Sequence, residues 1–258
     1  MRRLALSGLL FAALLSLGAI ASAEVAQKGD LRVNFEGKIS PSALPRSGET
    51  PVNVSVSAKV SSTGASAPPP MQKMSIAINK YGHLDTAGLP VCQLEDIQPA
   101  TTDDALAVCK RSLVGEGRFL ATVLQKGLAP FPSDGRIYAF NGEVEGKPAI
   151  LAHVYGTKPA PASYTISFLI SRSKGTFGTN LKATLPPVKE GSGYITGIYL
   201  KLGKSFISSG KGRSYLTASC PAPKGVSKAV FPFAEAAVAF KGGQALKSAL
   251  TRTCKAKS

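Results

Sequence analysis

The residues of this chain that could perform chemistry are few and widely spaced. His83 and His153 are the only two histidines among 258 residues. His83 stands two residues before Asp85, a spacing at which a carboxylate could orient a catalytic base. The surrounding segment is turn-rich, and there such a pair is more often an exposed histidine beside a turn aspartate. His153 stands in the apolar run Ile150–Tyr155, which favours a buried histidine over a metal ligand.

Paired carboxylates are the other candidates, because glycoside hydrolases use two acids across the scissile bond. Glu143 and Glu145 share one face of a predicted strand, and Glu95 and Asp96 are neighbours in a predicted loop. With 15 acids in the chain, such pairs are expected by chance and usually serve solubility. A nucleophile motif G-x-S-x-G is absent. The sequence therefore predicts no catalytic residue and no cofactor, so the protein is interpreted as a non-enzyme.

Four cysteines predict a covalent framework, because an even number in an oxidising compartment is typical of disulfides. Three pairings are possible, and pairing the nearest cysteines in the sequence gives Cys92–Cys109 and Cys220–Cys254. Each loop would stabilise the fold by about 3–4 kcal/mol in the chain-entropy model. Two buried free thiols at Cys92 and Cys109 are the alternative. No C-x-x-C motif or nearby histidine pair suggests a metal site.

The N-terminus has the organisation of a secretory signal peptide. Met1-Arg2-Arg3 is a basic start, residues 4–20 are mainly apolar, and Ala21-Ser22-Ala23 is a small-residue cleavage motif. The apolar run is too short and too sharply ended to predict a membrane span. We therefore expect residues 1–23 to be removed and residues 24–258 to form a single secreted β domain, extracellular or associated with the cell envelope, with no transmembrane segment after cleavage.

The charge predicts attraction to polyanions. Cleavage would remove two arginines and no acid from a formal charge of +16, which leaves +14. The most concentrated basic patch surrounds the Gly203–Gly212 turn region and consists of Lys201, Lys204, Lys211 and Arg213. We expect any polyanion to bind there, although a solvated hairpin tip has the same composition. Neither Arg-Gly repeats nor a long basic run points to a specific nucleic-acid partner.

Strands are the elements that would position these residues. Alternating apolar and polar residues and short turns predict a mostly β fold, an antiparallel β-sandwich or barrel-like sheet pair. Between two of the strands, Glu145-Gly146 is favoured over Asn141-Gly142 as the turn, which would make Asn141-Gly142 a bulge. About a dozen strands are predicted: Asp30–Ile39, Val52–Val60, Met74–Ile78, Arg118–Gln125, Arg136–Val144, Lys147–Tyr155, Tyr164–Ile170, Phe177–Leu185, Gly193–Leu202, Ser214–Cys220, Ala229–Phe240 and Leu246–Cys254.

One short helix is predicted over about 102–114. Thr101 and Asp104 have the spacing of a capping box, and the apolar residues that follow share one helical face. Gly115 is a plausible helix stop. Cys109 lies on the apolar face, so it is expected to point inward toward the other cysteine of its pair.

Five segments of the chain, spread over most of its mature length, are Gly37–Pro41, Asp85–Cys92, Leu113–Gly117, Pro148–Gly156 and Ser219–Pro223. Together they resemble a group of uncharacterised secreted proteins from actinobacteria. The resemblance implies a bacterial exported protein with four structural cysteines, and it implies no activity. We expect a secreted, non-enzymatic β-sandwich protein whose partners are anionic cell-envelope polymers. The alternative is a secreted hydrolase that acts on cell-wall or matrix polymer.

Overall fold

A computed structural model describes residues 23–187 and 192–257. The expected signal peptide, apart from its last residue, lies outside the described residues. The strands and helices are β1 Glu24–Lys28, β2 Leu31–Ser40, β3 Ala43–Pro45, β4 Thr50–Pro51, β5 Asn53–Ser62, β6 Met71–Asn79, β7 Gly82–Leu84, β8 Cys92–Gln93, α1 Leu94–Ile97, α2 Thr102–Cys109, β9 Leu113–Val123, β10 Phe131–Val144, β11 Lys147–Gly156, β12 Ala162–Arg172, β13 Phe177–Thr184, β14 Gly193–Leu202, β15 Ser205–Ser208, β16 Lys211–Ser214, β17 Leu216–Ala218, β18 Lys228–Phe240 and β19 Ala245–Lys257.

The predicted mostly β fold is confirmed as one large curled sheet with two small sheets. Fourteen strands form the large sheet in the order β1-β2-β5-β14-β9-β10-β11-β12-β13-β6-β18-β19-β3, with β8 beside β10. The sheet curls until β1 and β2 approach β19. The backbone N–H of Thr251 donates to Glu24 Oε1 at 3.1 Å, and the Arg252 guanidinium bonds both Glu24 and the Gly37 carbonyl. Side chains therefore join the two sides of the curl.

The inward faces of the strands form the main apolar core. Along β2 the buried residues Leu31, Val33 and Phe35 alternate with more exposed ones, as the period of two requires. Burying such a side chain contributes about 1.5–3 kcal/mol, so the alternation along β2 fixes which face of the strand turns inward. Glu36 and Lys38 consequently point to solvent on the other face.

The strand predicted at Ser214–Cys220 is wrong in one respect, because the structure divides it between two small sheets. β16 pairs with β15 as a hairpin, whereas β17 lies between β4 and β7. Tyr215 separates them and is fully buried. Its N–H donates to the Lys204 carbonyl and its carbonyl accepts from the Asp85 N–H, at 2.8 and 2.9 Å. These two hydrogen bonds turn the backbone at Tyr215, so β16 and β17 do not form one continuous strand.

The predicted helix ends earlier than expected. α2 begins directly after its N-cap Thr101, whose Oγ1 accepts a hydrogen bond from the Asp104 N–H at 3.2 Å, and it ends at Cys109. A single 3₁₀ turn follows, and Gly115 lies inside β9 instead of stopping the helix. Pairing of β9 with both β10 and β14 outweighs helix continuation. The short helix α1 was not predicted; it contains Glu95 and Asp96, which were expected in a loop.

The predicted hairpin turn is confirmed between β10 and β11. Glu145 and Gly146 both have positive φ, 50° and 73°, as a type I′ turn needs. The bulge expected at Asn141-Gly142 is wrong, because both residues pair with β11 without a register shift. Asn141 instead donates from Nδ2 to the Pro90 carbonyl at 3.0 Å. The irregularity of β10 lies elsewhere, opposite β9 at Ala139/Phe140.

Both predicted disulfides are confirmed. Cys92 bonds Cys109 and Cys220 bonds Cys254, with Cα atoms 5.5 and 5.8 Å apart. All four cysteines are buried. Two disulfides indicate an oxidising environment. Within residues 23–187 and 192–257, no helix has the length and apolar character needed to cross a membrane.

Candidate functional site

A groove of about 890 Å³ lies over the outward faces of five neighbouring strands, β2, β5, β14, β9 and β10. The strand register arranges its side chains in two rows that run across the strands. The first row is Glu36, Ser57, Tyr199, Arg118 and Arg136. The second row is Lys38, Ser55, Lys201, Glu116 and Tyr138. We call these ten residues the outer groove.

The outer groove depends on an unusually close approach of β9 to β14. A Cβ placed on Gly117 would lie 1.9 Å from the Tyr199 carbonyl oxygen and 3.0 Å from the Leu200 Cα. These neighbours are backbone atoms, so only a shift of a whole strand could make room for a side chain. Gly117 therefore allows β14 to set Tyr199 beside the charged residues of β9.

Two arginines lie directly opposite each other in the outer groove. Arg118 of β9 and Arg136 of β10 are register partners, and both are exposed. Arg136 Nη1 donates to the Tyr138 hydroxyl at 3.0 Å, and the Arg118 guanidinium lies 5.1 Å from the centroid of the Tyr199 ring. Within the described part of the chain, no ion pair joins either arginine to a carboxylate. Like charges in this arrangement repel, so the pair is suited to share an anion.

The charge of the outer groove is mixed. Besides its lysines and arginines it contains the exposed carboxylates of Glu36 and Glu116, and Asp134 lies at its border. The hydrogen bond to Tyr138 raises the pKa of Arg136, and the nearby charge of Glu116 adds to the effect. Arg136 therefore keeps its charge, and the groove can accept hydrogen bonds from a ligand as well as donate them.

The structure divides the predicted basic patch between the outer groove and the β15–β16 hairpin. Lys201 lines the groove. Lys204 is half-buried and donates to the Arg111 carbonyl, and burial lowers the pKa of its amine, with the charge of Arg111 adding to this. Lys211 is exposed on the hairpin, and Arg213 pairs with Asp85 at 2.9 Å.

The two histidines lie in different surroundings. His83 Nε2 lies 3.4 Å from Glu49 Oε1, whereas Asp85 is bonded to Arg213, so the pairing considered for His83 and Asp85 is not made. His153 is fully buried beneath α1, as the sequence predicted, with Nδ1 3.2 Å from the Ile97 carbonyl oxygen. Among the described residues, no three His, Cys, Asp or Glu side chains gather as a metal site would need.

Burial gives His153 a testable pH dependence. Desolvation lowers the pKa of His153, against a smaller opposite effect of the Ile97 carbonyl. The unfolded chain therefore binds a proton below about pH 6.5 that the folded chain does not, and stability falls as pH drops below that value. We expect wild type to lose up to about 1.4 kcal/mol per pH unit more than His153→Gln in this window. Urea unfolding from pH 7 to 5 measures the difference, and equal slopes would contradict it.

The carboxylate pairs that the sequence singled out lie in one region, because Glu143 is the register partner of Gln93, which directly precedes α1. Glu143 is at the end of β10, and Glu145 is the first turn residue of the β10–β11 hairpin. Asp96 accepts from the Gln93 N–H at 3.4 Å, so it caps the start of α1. The Asp96 carboxylate therefore has a structural partner.

Sequence reasoning missed Arg118, Arg136 and Tyr199 as site residues. Each lies two residues from another polar or charged residue on its strand, which places both on the same outward face. The alternation can be seen within each strand in the sequence. Strands β2, β5 and β14 are distant in sequence from β9 and β10, so the sequence does not show that their outward faces form one groove. Comparisons with protein-family models, curated proteins and solved structures find no match.

Proposed function

We propose that this protein is exported and binds an anionic polymer of the cell envelope in the outer groove, without transforming it. The single observation that carries the proposal is the opposed pair Arg118 and Arg136, which lies exposed with no carboxylate of the described residues bonded to it. A guanidinium matches a carboxylate with two parallel hydrogen bonds. A carboxylate or phosphate between the two arginines would relieve their repulsion.

The remaining groove residues favour a sparsely charged polymer. The carboxylates of Glu36 and Glu116 would repel a ligand that carries several anions on each unit, so a polymer with at most one anion on a unit is favoured, and they would accept hydrogen bonds from its hydroxyl groups. Tyr199 offers a partly exposed ring beside Arg118. A polysaccharide that carries spaced carboxylates supplies all three kinds of partner, so an acidic glycan is the polymer class proposed.

Replacing both arginines tests this site. We expect Arg118→Gln/Arg136→Gln to weaken binding of oligogalacturonate by at least tenfold, because each charge-assisted hydrogen bond contributes about 1.5–3 kcal/mol. Isothermal titration at 20 mM and 200 mM salt measures the affinity, and we expect it to fall with salt because exposed charges are screened.

The hairpin supplies a matched control. Lys211→Gln/Arg213→Gln removes the same charge from the other basic region and should change the affinity less than twofold. Equal losses in the two double variants would mean general charge attraction and would contradict the proposed site. Shortening of the oligogalacturonate during the titration would contradict the non-enzymatic assignment and favour a hydrolase.

A further inference from the structure

The interior of the curled sheet contains unfilled space as well as packed core. Three cavities lie among the inward-facing residues, with volumes of about 70, 60 and 280 Å³. The three cavities lie in single file along strand β12. Its inward residue Tyr164 lines the largest cavity, Ile166 lines the smallest, and Phe168 lines both small ones. These three positions span about 13 Å of strand.

The exposure of the inward residues also indicates space. Val56, Ile76 and Leu200 belong to strands whose apolar faces form the core, yet each remains partly exposed. All three line both small cavities, which have almost entirely apolar walls. Side chains that border a void lose the dispersion contacts of close packing, and an apolar cavity of this kind stays dry. A bound hydrocarbon chain would restore those contacts.

The two ends of the file differ. At the inner end, the 70 Å³ cavity is lined by Leu84 and Leu216 of the small sheet β4-β17-β7 and by the partly exposed His83. At the outer end, the 280 Å³ cavity is bordered by Phe119, Ala121 and the exposed Lys158. It is nearly twice the size of an engineered apolar cavity of about 150 Å³ that binds benzene. Lys158 is the only charged residue among the described residues that line it.

We propose that this file of cavities is a binding site for one unbranched alkyl chain with an anionic head group. The chain would enter through the 280 Å³ cavity and extend along Ile166 toward Phe168, and the head group would remain at the mouth beside Lys158. The narrow inner cavities admit a single chain and exclude rings or branched groups. The apolar side chains of the site project from the faces of the strands opposite to the outer groove, although Glu36 and Ser57 of the outer groove also border the 60 Å³ cavity.

Titration of the mature protein with dodecanoate below its micellar concentration tests the site. Isothermal titration should give one bound dodecanoate per protein. Butanoate, with the same head group and a short chain, should bind at least tenfold more weakly. Dodecyl phosphate in place of dodecanoate distinguishes the two head groups at Lys158, and lyso-phosphatidylcholine with a twelve-carbon chain tests whether a phospholipid is accepted.

A cavity-filling variant locates the chain. Ala121→Phe fills the outer cavity and should weaken dodecanoate binding at least tenfold, whereas Ala245→Phe adds the same side chain at an exposed position and should change it less than twofold. Methyl NMR of wild type gives an independent reading, in which Ile166 and Ile198 should shift while the 80% exposed Ile207 does not.

Binding that Ala121→Phe leaves intact, shifts confined to Ile207, or absence of binding to wild type would overturn the proposal. Arg118→Gln/Arg136→Gln should bind dodecanoate like wild type, so this test and the glycan test fail independently.

Discussion

Replacing Cys220 and Cys254 together with alanine should lower the free energy of unfolding by about 4 kcal/mol. The disulfide closes a loop with a sequence separation of 34, and opening it returns that loop-closure entropy to the unfolded chain. Both cysteines are buried, at 1% and 0% exposure, so the folded state also loses packed sulfur atoms. Urea unfolding of wild type and the double variant measures the change.

The position of this disulfide explains why we expect a global effect. Cys220 follows β17 of the small sheet β4-β17-β7, and Cys254 lies on β19, two residues after Arg252, which bonds to Glu24 across the curl. The disulfide therefore ties the small sheet to strand β19 of the large sheet. Cys92→Ala/Cys109→Ala is the matched comparison, since its loop separation of 17 predicts a loss of about 3 kcal/mol. A loss below 1 kcal/mol for Cys220→Ala/Cys254→Ala would show that the curl does not depend on the bond.

Gly117→Ala should lower the free energy of unfolding by about 3 kcal/mol, the upper part of the range for overpacking a tight site. The added Cβ would meet the Tyr199 carbonyl oxygen at 1.9 Å, and the neighbouring atoms are backbone that cannot rotate away. Separation of β9 from β14 would follow, and with it a change in the outer groove between Arg118 and Tyr199. Chemical denaturation measures the stability, and oligogalacturonate titration of the folded variant measures the groove.

Gly212→Ala provides the control for this substitution. Gly212 also lies in a strand, but nothing stands within 4 Å of the position that its Cβ would occupy. The same chemical change should therefore alter stability by less than about 0.5 kcal/mol. If Gly117→Ala changes the free energy of unfolding no more than Gly212→Ala does, then β9 and β14 do not approach each other as closely as described above.

Local patterns in the sequence were enough to predict the long strands of the large sheet and the covalent framework. The alternation at Val52–Val60 and Gly193–Leu202 corresponds to β5 and β14, because burial of one face imposes a period of two on each strand. The cysteine pairs followed from nearness in sequence. The end of α2 did not follow, since the pairing of β9 with strands on both sides decided it.

The outer groove could not be predicted from the sequence for a different reason. Arg118 and Tyr199 are neighbours only because β9 pairs with β14, about 80 residues later in the chain, and no local signal sets that pairing. The basic patch is dense along the sequence, but the fold places Asp85 against Arg213 from a distant segment. Charge density along a sequence does not reveal such partners.

Amide NMR of the mature protein during titration with oligogalacturonate locates the ligand residue by residue. We expect the amides of Arg118, Arg136 and Tyr199 to shift in a saturable way, and those of Lys211 and Arg213 to stay unchanged, if the outer groove is the binding site. Shifts confined to the β15–β16 hairpin, or the absence of saturable shifts in the outer groove, would contradict binding in that groove.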